Sequence, residues 1–294
     1  MLLSLPPRFD AAGVEGLLHA ARRRGPVAGI DCSAVRFIDP CGTLALLAVG
    51  LAASWRGGRA WGLVLPRDPG PRGWLERCGA RAILERAFLV EGPPEDLDGR
   101  DSAQPTLLEV AVVRTPDEVR RAVGRLKARA DLLLVTRLGY SPLTADRLSV
   151  ALAELLQNAV DHSGSPGLAA AQWYPHGPAG VPELRIAVAD AGVGVRESLA
   201  GRYAHGADRW DDATAVRTVF LEGVSRFADQ GRGLGLKAVA AMVRGWGGSL
   251  RLRSGTAAGG VVPGGPGNAP CNGLAHFPGT QVDVIVPHAD PSAL

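Results

Sequence analysis

Lysine is almost missing from this chain: among 32 basic residues only Lys127 and Lys237 are lysines, and methionine occurs twice. A GC-rich coding sequence gives that bias, and the arginines are scattered among 29 acids rather than gathered in a stripe. A net charge of +3 so distributed leaves no nucleic-acid footprint. Cys32, Cys41, Cys78 and Cys271 form no Cys-x-x-Cys pair and no zinc spacing, so they read as reduced thiols. Long apolar runs are lacking too. The most apolar stretch, Leu44 to Ala53, falls well short of the roughly 20 residues that a membrane-spanning helix needs. No charged leader with a cleavage site opens the sequence. A cytoplasmic protein is expected, without membrane or nucleic acid as partner.

Several catalytic signatures are absent as well. No G-x-x-x-x-G-K-[ST] occurs, and no G-x-G-x-x-G lies between a strand and a helix with an acid about 20 positions later, which excludes P-loop and dinucleotide readings. Without a G-x-S-x-G elbow or an H-E-x-x-H helix, hydrolase and metalloprotease readings have no support either.

What the chain does have is the composition of a packed protein: 294 residues, 46% hydrophobic and 21% charged, enough for two domains. A polar, proline-containing stretch, Glu91 to Thr106, lacks apolar periodicity. The expected organisation is therefore a first domain over 1–91, a linker over 92–106 and a second domain over 107–294. In the first, Val27 to Asp31 and Ala60 to Pro66 read as strands, Gly42 to Trp55 and Pro71 to Cys78 as helices. That alternation argues for an α/β layer fold.

In the second, Leu108 to Val113 reads as a strand. Thr115-Pro-Asp-Glu118 is a capping box that should start a helix running to about Ala130. Ser141-Pro142 announces another, with Leu148, Leu152, Leu155 and Ala159 as its core face. Leu168 to Tyr174 and Glu183 to Asp190 are expected strands, the latter alternating through Leu184, Ile186 and Val188. A long irregular stretch should follow, then a helix over Leu234 to Trp246 and strands over Ser249 to Arg253 and Gln281 to Pro287. The Gly- and Pro-rich segment from Ala257 to Pro278 reads as a surface loop.

Three short segments carry candidate chemistry. Glu154, Asn158 and His162 recur every four residues, so they share one helix face. An amide oxygen can join a magnesium shell, and a carboxylate one turn away can deprotonate a hydroxyl or water. Asp190-Ala-Gly192-Val-Gly194 follows a strand, where a carboxylate can accept from an exocyclic amine while glycines admit a ring. Gly231-Arg232-Gly233-Leu234-Gly235 precedes a helix, a setting in which backbone amides meet phosphate oxygens. Each alone has a bland alternative: a solvated helix face, an Asp-Gly turn, a glycine-rich helix entry.

Their order makes them specific. ALAELLQNAVDHSG resembles the N box, VADAGVGV the G1 box and GRGLGLKAV the G2 box of the GHKL ATPase and kinase superfamily, over roughly Leu107 to Pro287. The resemblance implies a Bergerat-fold α/β sandwich that binds ATP and Mg2+. It implies Asn158 as metal ligand, Glu154 as general base, Asp190 for adenine and Gly192 with Gly194 as the adenine wall. For the phosphates it implies Gly231, Gly233 and Gly235, with Arg232 and Leu234 in the same loop, and it sets Thr280 of Gly279-Thr280 near Asp190. His162 at the end of E-x-x-x-N-x-x-x-H is similar to the anti-sigma-factor serine kinases, whereas a local structural role for this histidine fits equally. His19 has the wrong context for a phospho-acceptor, and no H box precedes the domain.

GPVAGIDCSAVRFIDPCGTLALLAV, with GRAWGLVLP and PRGWLERCGA, resembles the STAS domain of anti-sigma-factor antagonists over about the first ninety residues. The family's phosphorylated serine has no counterpart: the turn is Asp39-Pro40-Cys41-Gly42, leaving Ser33 and Thr43 as the nearby hydroxyls. Such a domain is expected to dock without being phosphorylated. Val195 to Gln230 would be a long lid with a helix from Ala213 to Leu221, an addition similar to relatives that read lid closure as a signal. Three readings stay open: a partner-switching serine/threonine kinase, an ATPase working as a conformational switch, and an ATP-binding interaction module. A protein partner is expected in the first, and a homodimer is compatible with all three.

Overall fold

The computed structural model describes residues 1–23, 26–55, 61–92, 108–177, 180–206, 209–222, 235–263 and 270–289. The amino-terminal part begins with β1 (Leu2–Ser4), β2 (Arg8–Phe9) and α1 (Ala11–Arg23), then β3 (Gly29–Asp31), β4 (Phe37–Ile38) and α2 (Pro40–Trp55). It continues through β5 (Trp61–Val64), α3 (Pro69–Arg77), α4 (Ala80–Ala87) and β6 (Phe88–Glu91). β1, β3, β5 and β6 form a parallel sheet in the order β1-β3-β5-β6, and β2 pairs with β4 in a separate parallel ribbon. Crossover helices supply the long connections that parallel strands demand.

The second part consists of β7 (Leu108–Val113), α5 (Pro116–Thr136), α6 (Pro142–His162), β8 (Gly167–Tyr174), β9 (Glu183–Asp190), α7 (Gly194–Tyr203), α8 (Asp212–Glu222), α9 (Gly235–Gly245), β10 (Ser249–Gly255), β11 (Ala257–Val261) and β12 (Phe277–Pro287). Its six strands run antiparallel in the order β11-β10-β12-β9-β8-β7. Both long helices start where the sequence signals them. Thr115 and Glu118 make the reciprocal capping box of α5, and the Ser141 hydroxyl accepts from the Thr144 amide ahead of Pro142 at the start of α6. Each satisfies amides that a helix start would leave unbonded.

Strand alternation splits the second sheet into two buried faces. Leu184, Ile186 and Val188 of β9, Leu250 and Leu252 of β10, and Val282, Val284 and Val286 of β12 meet α5, α6 and α9 in one core. Leu168, Ala170, Ala187 and Ala189 point the other way, into a core shared with the amino-terminal part. There the opposing element is α2, whose Leu44, Ala45, Leu46, Leu47 and Ala48 are all fully buried. A helix apolar on every side needs cover on every side. α2 gets it by lying between its own sheet and helices and the back of β8, β9 and β12.

The fold expected from the sequence, α/β in both parts, is what the structure has. Expected strands at Leu108–Val113 and Glu183–Asp190 are found with those bounds, while α5 runs beyond Ala130 to Thr136. Two expectations fail. The segment after β9 is not irregular: α7 and a short 3-10 turn, Ala204–Gly206, precede α8. Nor is Ala257 to Pro278 simply a surface loop, because β11 pairs with β10 and buries Ala257, Ala258 and Val261, and Phe277 at the start of β12 is fully buried. Glycines mask this hairpin in the sequence. At Gly260 an added Cβ would lie 2.0 Å from the Leu250 carbonyl oxygen, so the weak strand former is there for close approach.

Two glycine substitutions separate packing from propensity. At Gly42 a Cβ would fall 2.1 Å from the Phe9 carbonyl oxygen, so Gly42→Ala should cost about 1–3 kcal/mol. Gly124, inside α5, faces open space, and Gly124→Ala should stabilise by about 0.5–1 kcal/mol. Urea unfolding of the two variants should move in opposite directions.

Candidate functional site

At the carboxy-terminal end of β9 the chain leaves the sheet through Asp190, Ala191 and Gly192, and this loop lies directly on the end of α6. The Val193 amide donates to the Ser163 carbonyl at 2.9 Å, and the Ala191 amide donates to the Ser165 hydroxyl at 3.1 Å. A Cβ on Gly192 would sit 1.9 Å from the Ser163 carbonyl oxygen, which is why that position takes glycine. The helix face with Glu154, Asn158 and His162 and the Asp190 loop are thereby held together. Glu154 and His162 are half-buried, Asn158 is exposed.

Asp190 is 5% exposed and is bonded from its own loop and from β12. Its Oδ1 accepts from the Gly192 amide at 2.9 Å and from the Thr280 amide at 3.2 Å. Gly279, with φ +83°, is the hinge that lets β12 reach it, since a Cβ there would lie 2.3 Å from the Asp190 carbonyl oxygen. Burial pushes the Asp190 carboxyl up to about 7, against the two amide bonds, which favour its ionised form. A buried carboxylate on a glycine-lined loop can receive a donor from a flat, polar ring.

One contributor carries no sequence signature. Ser254, in β10 and 3% exposed, donates from Oγ to the Gly279 carbonyl at 3.0 Å and accepts from the Val195 amide at 2.9 Å. It clamps the strand that presents Thr280 to the start of α7, next to Gly194 with its φ of +77°. A serine in an alternating strand looks like any surface residue. Asp212 was likewise missed as an anchor: its Oδ2 accepts from both the amide and the hydroxyl of Thr256 at 2.7 Å, and Arg196 lies 3.3 Å from its Oδ1. Through it, and through buried Val216 and Phe220, α8 is fixed to the β10–β11 hairpin.

Of the glycine-rich loop, Gly235 opens α9, while Gly231, Arg232, Gly233 and Leu234 lie outside the described residues. The direction of α9 is nonetheless set. Trp246, just after its last turn, packs its ring 5.6 Å from that of Tyr140, just before α6. The two packed helices thus run antiparallel, and the amino end of α9 points along α6 toward Asn158 and His162. The arrangement gives a helix start, an exposed amide and a half-buried carboxylate on one side, and a buried carboxylate among glycines on the other. Among the described residues no group of three or more His, Cys, Asp or Glu forms a metal cluster. An amide and a lone carboxylate suit a cation that takes most of its ligands from phosphates.

Residues 144–288 match the family model described as Histidine kinase-, DNA gyrase B-, and HSP90-like ATPase, so this part of the chain is similar to the ATP-binding domains of that family. The match starts in the first turn of α6 and leaves the amino-terminal part and α5 outside. No curated protein and no solved structure matches the chain. No helix among the described residues is long and apolar enough to cross a membrane.

The Ser254 clamp gives a direct test. Ser254→Ala leaves a buried carbonyl and a buried amide without their partner and should cost about 1–3 kcal/mol in chemical denaturation. An unchanged midpoint would show that the clamp is not a structural part of the loop.

Proposed function

We propose that this chain is a Mg-ATP-dependent regulatory protein that acts on a protein partner as a serine/threonine kinase of the partner-switching type. The observation that carries it is Asp190: a buried carboxylate, fixed by amides of Gly192 and of Thr280 in β12, at the start of a glycine loop seated on the end of the helix of Glu154 and Asn158.

In this reading Asp190 accepts from the exocyclic amine of adenine, and Gly192 and Gly194, whose close packing on Ser163 and Ser254 shapes the loop, contribute backbone to the adenine wall. Magnesium, when bound, neutralises the phosphate charge, with the Asn158 amide oxygen as its protein ligand. Glu154 takes the proton from the partner's hydroxyl as its oxygen bonds to the γ-phosphorus and ADP leaves. Gly231, Gly233 and Gly235, with Arg232 and Leu234 between them, hold the phosphates, and His162 borders the same face.

The amino-terminal part, which resembles the STAS antagonists, is an interaction module rather than the phosphorylated substrate. Its turn carries Pro40 in place of a hydroxyl. Thr43 is fully buried and donates to the Asp39 carbonyl at 2.8 Å while accepting from Trp74 Nε1 at 2.9 Å, so it is not offered to a kinase. A second reading, an ATPase that uses lid closure as a switch, draws on the two helices α7 and α8 in the stretch between the glycine boxes and on the tie from Asp212 to the β10–β11 hairpin. Water then takes the place of the hydroxyl.

Incubation with γ-labelled ATP, with and without candidate partner proteins, separates the readings: label on protein supports the kinase, and free phosphate with none on protein overturns it. Asn158→Ala should abolish magnesium-dependent nucleotide binding. Glu154→Ala should keep binding and lower turnover by about 10²–10⁴-fold, and normal turnover would remove Glu154 from catalysis. Ionised Asp190 accepts the amine more strongly than the neutral acid does, so ATP affinity should rise as pH increases through about 7. Asp190→Asn should weaken ATP by about tenfold or more and flatten that profile in calorimetric titrations.

A further inference from the structure

The back of the six-stranded sheet, beneath the amino-terminal part, is an unusual core face. Beside Leu168, Ala170, Ala187 and Ala189 it presents Arg185, Arg251, Arg253, Gln281 and Asp283, and apart from Arg251 these polar residues are at most 8% exposed. Each arginine is met across the seam. Asp39, at the turn before α2, holds Arg185 at 2.6 Å, and Glu15 of α1 holds Arg251 and Arg253 at 2.6 and 2.7 Å. The Gln281 amide donates to the Cys41 carbonyl at 2.7 Å. A face with three guanidiniums, a carboxyl and an amide is wettable when uncovered, as in contacts that form and separate rather than in permanently fused cores.

Asp283 is the member left out. Its Oδ1 is buried without a hydrogen-bond partner. Arg185 is already committed to Asp39 and to Glu183, and Arg251 and Arg253 to Glu15. The seam therefore sets Asp39, Glu15, Glu183 and Asp283 against three guanidiniums, one carboxyl in excess; nearby Asp10 is taken up by Arg8.

We infer that docking of the amino-terminal part on the back of the sheet is reversible and proton-linked: the seam is closed while Asp283 is a neutral carboxylic acid and loosens when Asp283 gives its proton to solvent. Burial and the neighbouring charges of Asp39 and Asp10 push the Asp283 carboxyl up, and Arg185 and Arg251 only partly offset them. Asp39 is raised by burial as well, but the Gly42 amide and Arg185 pull it back, and the direct ion pair keeps it the ionised member. Burial pushes up the Cys41 thiol and the Tyr174 phenol, whose ring lies 5.4 Å from the Arg185 guanidinium, so both stay neutral. Glu15 is held low by its two arginines, despite its partial burial. The docked state binds the Asp283 proton more tightly than the open one. Docking thus weakens as pH rises above the ordinary Asp value of 3.8, until docked Asp283 has itself ionised.

The seam also borders the candidate site. On β12, Thr280 gives its amide to Asp190 and the next residue, Gln281, reaches to Cys41. The latch itself involves no nucleotide.

Hydrogen–deuterium exchange of the full chain, corrected for intrinsic rates, should show protection of α2 falling with pH. The opening equilibrium should change by at most about tenfold per pH unit, as for a single proton. α6, on the far face of the sheet, should show no such slope. Asp283→Asn should give pH-independent protection of α2. Asp283→Leu, also neutral at every pH, repeats the test if the amide disturbs the seam. Flat protection in the wild type, an undiminished slope in both variants, or parallel loss in α6 would each overturn the latch.

Discussion

Burial of α2 is the constraint on which the rest of the structure depends. A 16-residue helix with a continuous block of fully buried Leu and Ala loses stability wherever one of its faces meets water. The amino-terminal sheet and helices cover part of it, and the back of the second sheet covers the remainder. That sheet is sandwiched in turn, with α5, α6 and α9 on its front. The order of layers follows from one helix with no wettable side.

Strand alternation then lets a single pair of strands serve two surfaces. On β9, Leu184, Ile186 and Val188 enter the front core and lead to Asp190, whereas Arg185 enters the seam. On β12, Val282 and Val284 go forward while Gln281 and Asp283 go back. With a side-chain period of two, no residue need serve both faces. The backbone joining them is continuous and short. The candidate site and the seam are thus neighbours by construction.

Much of this was legible in the residues. A capping box, a serine N-cap and two prolines set the starts of α5 and α6, four-residue spacing put Glu154, Asn158 and His162 on one face, and the glycine pattern after β9 marked a loop needing close approach. Those are local signals, carried by hydrogen bonds within a few residues. Ser254 and Asp212 were not legible, because a serine in a strand and an aspartate in the first turn of a helix act on residues 25 to 59 positions away. The β10–β11 hairpin hid behind glycines whose purpose is contact with a neighbouring strand.

Sequence alone determined that Glu154 and Asn158 would share a helix face and that a glycine loop would follow Asp190 at the end of β9, since that depends on spacing along helices and strands. It also determined that both parts would be α/β. Tertiary structure alone decided the fate of Arg185, Arg253, Gln281 and Asp283. In an alternating strand these polar residues read as a solvated face, and only the cover supplied by α1 and α2 turns them into a buried seam. Whether a polar face is wet depends on what lies across from it, and that is a property of packing over long chain separations rather than of local pattern.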